Sequence, residues 1–261
     1  MKLIQVPFCR NSGDNEGCED APAAIVEQLG LVYGSEDSHL VHPQLFRVEE
    51  VAVTDDWSSS KDSISRHIAQ LDEFPIAIGG DHSVTYALFR GFCQRHPRSG
   101  LIVFDTHPDT YGGEDYPHEH GRYLRRLIDE GIVDPTQVIL IGIRNADPEE
   151  IAYLRERKVT FFTMKQLFLN IENACDAVME KARGWESLYI SVDIDVLDPA
   201  FAPGTGCIEP GGMSTRELLY FIQRLKLLKN LKMLDIVEVN PHKDVNNITA
   251  MAAAKIIGEF F

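Results

Sequence analysis

Eight short runs of the 261-residue chain are apolar throughout or nearly so, and rich in Ile, Val and Phe: Leu3–Val6, Leu45–Val48, Ile76–Ile78, Leu101–Phe104, Val138–Ile143, Val159–Phe162, Leu188–Val192 and Met233–Val237. A strand that is apolar on both faces needs helices covering both faces. Helical periodicities fill the intervals, at about Ala21–Tyr33, Ser60–Leu71, Thr85–Arg95, Gly121–Glu130, Pro148–Arg157, Glu172–Arg183 and Thr249–Phe261. The clearest begins at Ser214. Ser214 and Glu217 predict a capping box, and Met213 and Leu218 predict a hydrophobic staple. Leu218, Leu219, Phe221, Ile222, Leu225 and Leu228 then line one face. This alternation predicts a single α/β domain over residues 1–261 on a mostly parallel sheet. Periodicity alone leaves both an open sheet and a closed (β/α)₈ barrel standing.

Composition narrows the partners. Lys and Arg total 25 against 40 Asp and Glu, a formal net charge of −15. Such a surface repels phosphate backbones and anionic lipid, so the chain is expected to bind neither nucleic acid nor membrane. No stretch is apolar for long enough to span a bilayer, and the run after Met1 is too short for a secretory signal. The five cysteines are odd in number and form no C-x-x-C pair, which predicts reduced thiols in a cytoplasmic protein and no zinc-thiolate site.

In either architecture, function gathers at the C-terminal ends of the strands. Ile76–Ile78 runs into Gly79-Gly80-Asp81-His82-Ser83, and Leu101–Phe104 into Asp105-Thr106-His107-Pro108-Asp109. Leu188–Val192 runs into Asp193-Ile194-Asp195, and the last run into Glu238-Val239-Asn240-Pro241. On extended backbone, a spacing of two puts Asp105, His107 and Asp109 on one face, and likewise Asp193 with Asp195. Carboxylates held that close repel unless a cation lies between them. The four aspartates, with His82 and His107, match the charge of two divalent cations. Oxygen-rich ligation with some imidazole and no thiolate favours Mn²⁺ over structural zinc, and Mg²⁺ seldom takes imidazole. Taken singly, each cluster also reads as a turn or a helix cap. Three of them, each directly after a buried-type strand, point to metal.

These motifs resemble the ureohydrolase superfamily of arginases and agmatinases, from about Val6 to the C-terminus. The G-G-D-H-S element stands at Gly79–Ser83, and D-A-H-x-D appears as Asp105–Asp109 with Thr106 for alanine. The long S-x-D-I-D-x-x-D-P-x-x-x-P-G-T-G-x-x-E-P-G-G signature is complete from Ser191 to Gly212. Glu238–Pro241 supplies E-x-N-P, and Asp244 to Ala250 the terminal D…T-A segment.

The resemblance implies an arginase-like three-layer α/β/α sandwich on an eight-stranded, mostly parallel sheet. It implies two Mn²⁺ per chain: one held by His82, Asp105, Asp109 and Asp193, the other by His107, Asp105, Asp193 and Asp195. It assigns catalytic work to His120, Glu238 and Asp109, with His120 as proton shuttle and Glu238 pairing the substrate guanidinium. The implied reaction cleaves a guanidinium C–N bond of an agmatine- or arginine-type substrate through a hydroxide bridging the ions, releasing urea and an amine. A homo-oligomer, trimer or hexamer, is implied too.

Thr106 is expected to point away from the metals and to leave them in place. Asp147 and Arg122 are further substrate-binding candidates, for an α-amino group and a carboxylate respectively. Asp147 reads equally as a helix N-cap before Pro148. His118 stays open between metal site, shuttle and loop. Two alternatives remain: a non-catalytic metal-binding relative, and a metal-dependent hydrolase of another C–N bond, amide or formimino. The formimino branch is expected to lack a histidine at the His120 position.

Overall fold

The computed structural model describes residues 1–10, 15–113 and 119–261. His118 and most of the loop before it lie outside these. The strands are β1 (Lys2–Val6), β2 (Arg47–Glu50), β3 (Pro75–Gly79), β4 (Ser99–Phe104), β5 (Val138–Ile143), β6 (Thr160–Thr163), β7 (Ser187–Asp193) and β8 (Leu231–Val237). They form one eight-stranded sheet in the order β2-β1-β3-β8-β7-β4-β5-β6, with every pairing parallel. The sheet is open, with β2 and β6 as its edges, so the barrel alternative is excluded.

Side-chain alternation divides the core into two. Ile76, Ile78, Ile102 and Phe104 face one apolar cluster, whose helical members come from α1 (Ala21–Leu29), α7 (Ile171–Arg183), α8 (Thr215–Leu225) and α9 (Ile248–Gly258). Ala77, Leu101 and Val103 face the other, built with α2 (Trp57–Ala69), α3 (Ser83–Cys93), α4 (Tyr123–Asp129) and α5 (Pro148–Glu156). The result is the expected three-layer α/β/α sandwich, and the period of two along each strand is its cause.

Two expectations shift. The second strand runs Arg47–Glu50 rather than Leu45–Val48, and Leu45 closes a 3-10 turn, Pro43–Leu45. An edge strand has one open side and needs no apolar run, so hydrophobicity mislocates it. A short helix, α6 (Met164–Leu169), went unforeseen. Six residues are too few for a periodicity, although Thr163 and Gln166 form its capping box. The capping box at Ser214 and Glu217 is present as expected.

The strands carrying the polar clusters, β3, β8, β7 and β4, are the four central neighbours. All are parallel and nearly in register: Ile78 pairs with Ile236, Val192 with Ile236, and Phe104 with Val192. Their C-terminal ends therefore empty at one edge of the sheet.

Candidate active site

The turn after β3 is shaped by backbone crowding. A Cβ on Gly80 would stand 1.9 Å from the Phe8 carbonyl oxygen, so the chain leaving β1 passes here only over glycine. That carbonyl accepts the Asp81 N–H at 3.1 Å. Asp81 Oδ2 accepts the Arg10 N–H at 2.6 Å, and Oδ1 accepts the Ser83 N–H at 3.0 Å. The turn thus fixed sets His82 at the head of α3.

His82 Nδ1 lies 3.1 Å from Asp105 Oδ2, 3.1 Å from Asp109 Oδ2 and 3.2 Å from Asp193 Oδ2. His107 Nδ1 lies 3.5 Å from Asp105 Oδ1 and 3.1 Å from Asp195 Oδ2. All six anticipated residues therefore converge. Two overlapping triads can each present a metal-sized set of donors: His82 with Asp105 and Asp109, and Asp105 with His107 and Asp195. Asp105 belongs to both, while Asp193 places Oδ2 against His82 and accepts the Asp195 N–H on Oδ1 at 2.8 Å.

The route to this convergence differs from simple strand alternation. Asp109 has φ 52°, in the left-handed region, and Asp195 lies in a 3-10 turn, Ile194–Val196, capped by the Asp193 side chain. The D-x-H-x-D segment is a loop whose two-residue spacing splits its side chains between the triads. Its turn is held by Glu150, whose Oε1 accepts the Thr110 N–H at 2.9 Å. Thr106 is wholly buried, and its hydroxyl donates to the Asp195 carbonyl at 2.8 Å, so it ties one ligand loop to the other.

A cation suits this geometry. Ser191 Oγ donates to Asp235 Oδ1 at 2.6 Å and lies 3.0 Å from His82 Nε2. Ser191 therefore accepts from Nε2–H, which leaves the Nδ1 lone pair facing the carboxylates. Neither Nδ1 of His82 nor Oδ2 of Asp105 has a hydrogen-bond partner among the described residues. Lone pairs this close repel unless a proton or a metal ion stands between them. The pKa directions agree. Burial and the Asp105 charge push Asp109 up to about 8. Burial, Asp195 and Asp105 raise Asp193 well above the carboxylate range. Against the cost of burial, the surrounding carboxylates raise both imidazoles. The donor set, four carboxylates and two imidazoles without thiolate, fits a pair of divalent ions of the Mn²⁺ type.

Glu238 sits beside the cluster at the end of β8, with φ 64°. Its Oε1 accepts the His82 N–H at 2.7 Å, and its Oε2 accepts from Asn15 Nδ2 at 2.5 Å. Burial raises its pKa, and burial with the Glu238 charge brings Asp81 up to about 6. His120 opens a 3-10 turn, His120–Arg122, and is close enough for its charge to pull Asp81 down. Arg122 is half-buried, and its Nε has no hydrogen-bond partner among the described residues. Asp147 is exposed and caps α5 in a capping box with Glu150. The N-cap reading of that aspartate is the one its contacts fill.

Sequence reasoning missed Asn15, Glu150, Asn145 and Asp235. Asn15 and Asn145 sit in loops, and Glu150 stands in the first turn of α5, where it reads as a capping residue. Asp235 is a charge inside an apolar strand, a signal that was available. It is fully buried and accepts from Thr85, Tyr189 and Ser191.

A parallel α/β/α sheet with a carboxylate-imidazole cluster at the C-terminal edge defines a metallohydrolase type of site. The model of the Arginase family matches residues 1–261. The chain is 38% identical to a guanidinopropionase of Pseudomonas aeruginosa, over 74% of this chain and 62% of that protein. It is 33% identical to a proclavaminate amidinohydrolase of Streptomyces clavuligerus, over 98% of this chain and 85% of that protein. The crystal structure of formimidoylglutamase from Bacillus subtilis superposes with a TM-score of 0.92 at 28% identity, covering 99% of this chain and 85% of that one. The chain belongs to the arginase family, the ureohydrolase superfamily of hydrolases.

Proposed function

We propose that the protein is a manganese-dependent amidinohydrolase that cleaves the guanidinium C–N bond of a small guanidino compound, releasing urea and an amine. The convergence of His82, Asp105, His107, Asp109, Asp193 and Asp195 at one sheet edge carries this reading. A guanidinium is delocalised and always cationic, hence a poor electrophile. Two Mn²⁺ ions, when held by these six residues, lower the pKa of water and so supply the nucleophile at neutral pH. Glu238 receives the planar cation through charge-assisted hydrogen bonds. His120 delivers the proton that the departing amine requires. Asp109 holds its carboxylate toward His82 as part of the ion-binding set and so acts in catalysis through the metal.

Among guanidino compounds we favour one that carries a carboxylate, paired by Arg122. Support comes from the half-buried Arg122 side chain, whose Nε has no hydrogen-bond partner among the described residues, and from the carboxylate in the substrates for which the three named relatives are called. The resemblance further supports a homo-oligomer, trimer or hexamer, acting in the cytoplasm. Among the described residues, no helix is long and apolar enough to cross a membrane.

A panel of agmatine, arginine, 3-guanidinopropionate and N-formimidoylglutamate, assayed for urea and formamide with and without Mn²⁺, tests this. Mn²⁺-dependent urea from a guanidino acid is expected, with Arg122→Ala raising KM for acids and sparing agmatine. One zinc per chain, or formamide in place of urea, would overturn it.

A further inference from the structure

Glu238 receives one hydrogen bond on each carboxylate oxygen, from the His82 N–H at 2.7 Å and from Asn15 Nδ2 at 2.5 Å. The second donor comes from far away in the chain and is itself held. Asn15 Nδ2 also donates to the Glu238 carbonyl at 3.2 Å, and its Oδ1 accepts from Asn240 Nδ2 at 2.8 Å. Asn240 Nδ2 donates to the Glu16 carbonyl at 2.8 Å as well, and Asn240 Oδ1 accepts the His242 N–H at 3.0 Å. Asn15 is 2% exposed. A Cβ on Gly206 would approach its Cβ to 2.7 Å, so the Gly204–Gly206 turn closes over it.

A carboxylate offers about four lone-pair directions, and the terminal torsion of a glutamate is broad and poorly self-defined. A backbone N–H on one oxygen and a held side-chain amide on the other fix that torsion and leave an acceptor direction on each oxygen. Two parallel acceptor directions match the paired N–H groups of a guanidinium. We propose that Asn15 is a positioning residue that orients the Glu238 carboxylate for bidentate capture of the substrate guanidinium. This role rests on the guanidino reading of the site above. An amide is the side chain the place requires. It donates to Glu238 and accepts from Asn240, whereas an aspartate of the same shape would set a carboxylate against Glu238.

The test uses Asn15→Ala and Asn15→Asp in the full-length, Mn²⁺-loaded protein. Loss of one charge-assisted hydrogen bond predicts a fall in kcat/KM of about 10- to 100-fold, carried by KM with kcat largely retained, because the guanidinium contact is made in ground and transition states alike. Mn²⁺ content and Tm measure any wider damage. In parallel, in protein loaded with diamagnetic Mg²⁺ or Cd²⁺ in place of Mn²⁺, the ¹H–¹⁵N signal of the Asn15 side-chain amide is expected downfield, moving back in Glu238→Gln whatever the enzyme hydrolyses. An unchanged KM in both variants, or a loss confined to kcat and Mn²⁺ content, overturns the proposal. A wild-type protein that is inactive on every guanidino compound removes the functional reading instead, and the amide signal still decides whether Asn15 holds Glu238.

Discussion

The two halves of the metal-type cluster are built on different foundations. Around His82 the ring is 1% exposed, stacks on Tyr123 at 4.3 Å between centroids, and rests through Ser191 on Asp235. Around His107 the side chain is 20% exposed, and its Nε2 lies 3.3 Å from Nδ2 of the exposed Asn145. One half is an extension of the core and keeps its geometry because packing forbids another. The other hangs on loops tied together by Thr106 and is the more exposed of the two. A site that must be rigid toward metal yet open toward ligand separates the two demands in space.

Asp105→Asn cuts the one residue both triads share, and turnover is expected to fall below detection with a loss of Mn²⁺ measured by elemental analysis. Full retention of one ion would show the halves to be independent. Asp235→Asn strikes only the buried half. It leaves hydroxyls of Thr85, Tyr189 and Ser191 competing for a weaker acceptor, with an expected 10–100-fold loss of Mn²⁺ affinity and a cost of about 1–3 kcal/mol in urea denaturation.

Metal removal should expose a pH dependence that involves both halves, beginning with Asp109 in the buried one. Burial and Asp105 raise Asp109 from 3.8 to about 8, so the folded state holds a proton that the unfolded state has lost. Metal-free stability is then greatest at low pH on this account and falls as pH rises between about 4 and 8. The raised imidazoles act in the same direction, their contribution being present below the ordinary histidine pKa and lost as pH rises through the elevated one. Thermal unfolding of the metal-free protein at pH 5 and 8 checks the sign, and saturating Mn²⁺ should flatten the difference. Asn145→Ala, in the open half, is expected to cost least, about 0.5–1.5 kcal/mol of support to His107, read as a several-fold loss of Mn²⁺ affinity. An effect as large as that of Asp235→Asn would erase the distinction between the halves.

Much of this was legible in the chain. Where a strand is covered on both faces, its apolar run marks it, as at Val138–Ile143, which was located to the residue. The edge strand Arg47–Glu50 was mislocated because its exposed side carries no such constraint. The six cluster residues were legible because each follows a buried strand that fixes where it ends. Asn15 and Asn145 were not, because a polar residue in a loop looks the same whether it holds a ligand or faces water, and Glu150, in the first turn of α5, reads only as a helix-capping residue. Asp109 joins the cluster by a route the sequence did not indicate: its left-handed backbone, not strand alternation, turns it toward His82.

Local pattern by itself determined the mostly parallel, helix-covered strands and the carboxylates and imidazoles available to a cation, since these follow from periodicity and from short-range spacing. Tertiary structure decided the strand order that makes β3, β8, β7 and β4 neighbours, the division of the cluster into a closed and an open half, and the reach of Asn15 across 223 residues to Glu238. Those depend on which distant segments pack together, and that is settled by the free energy of the whole fold.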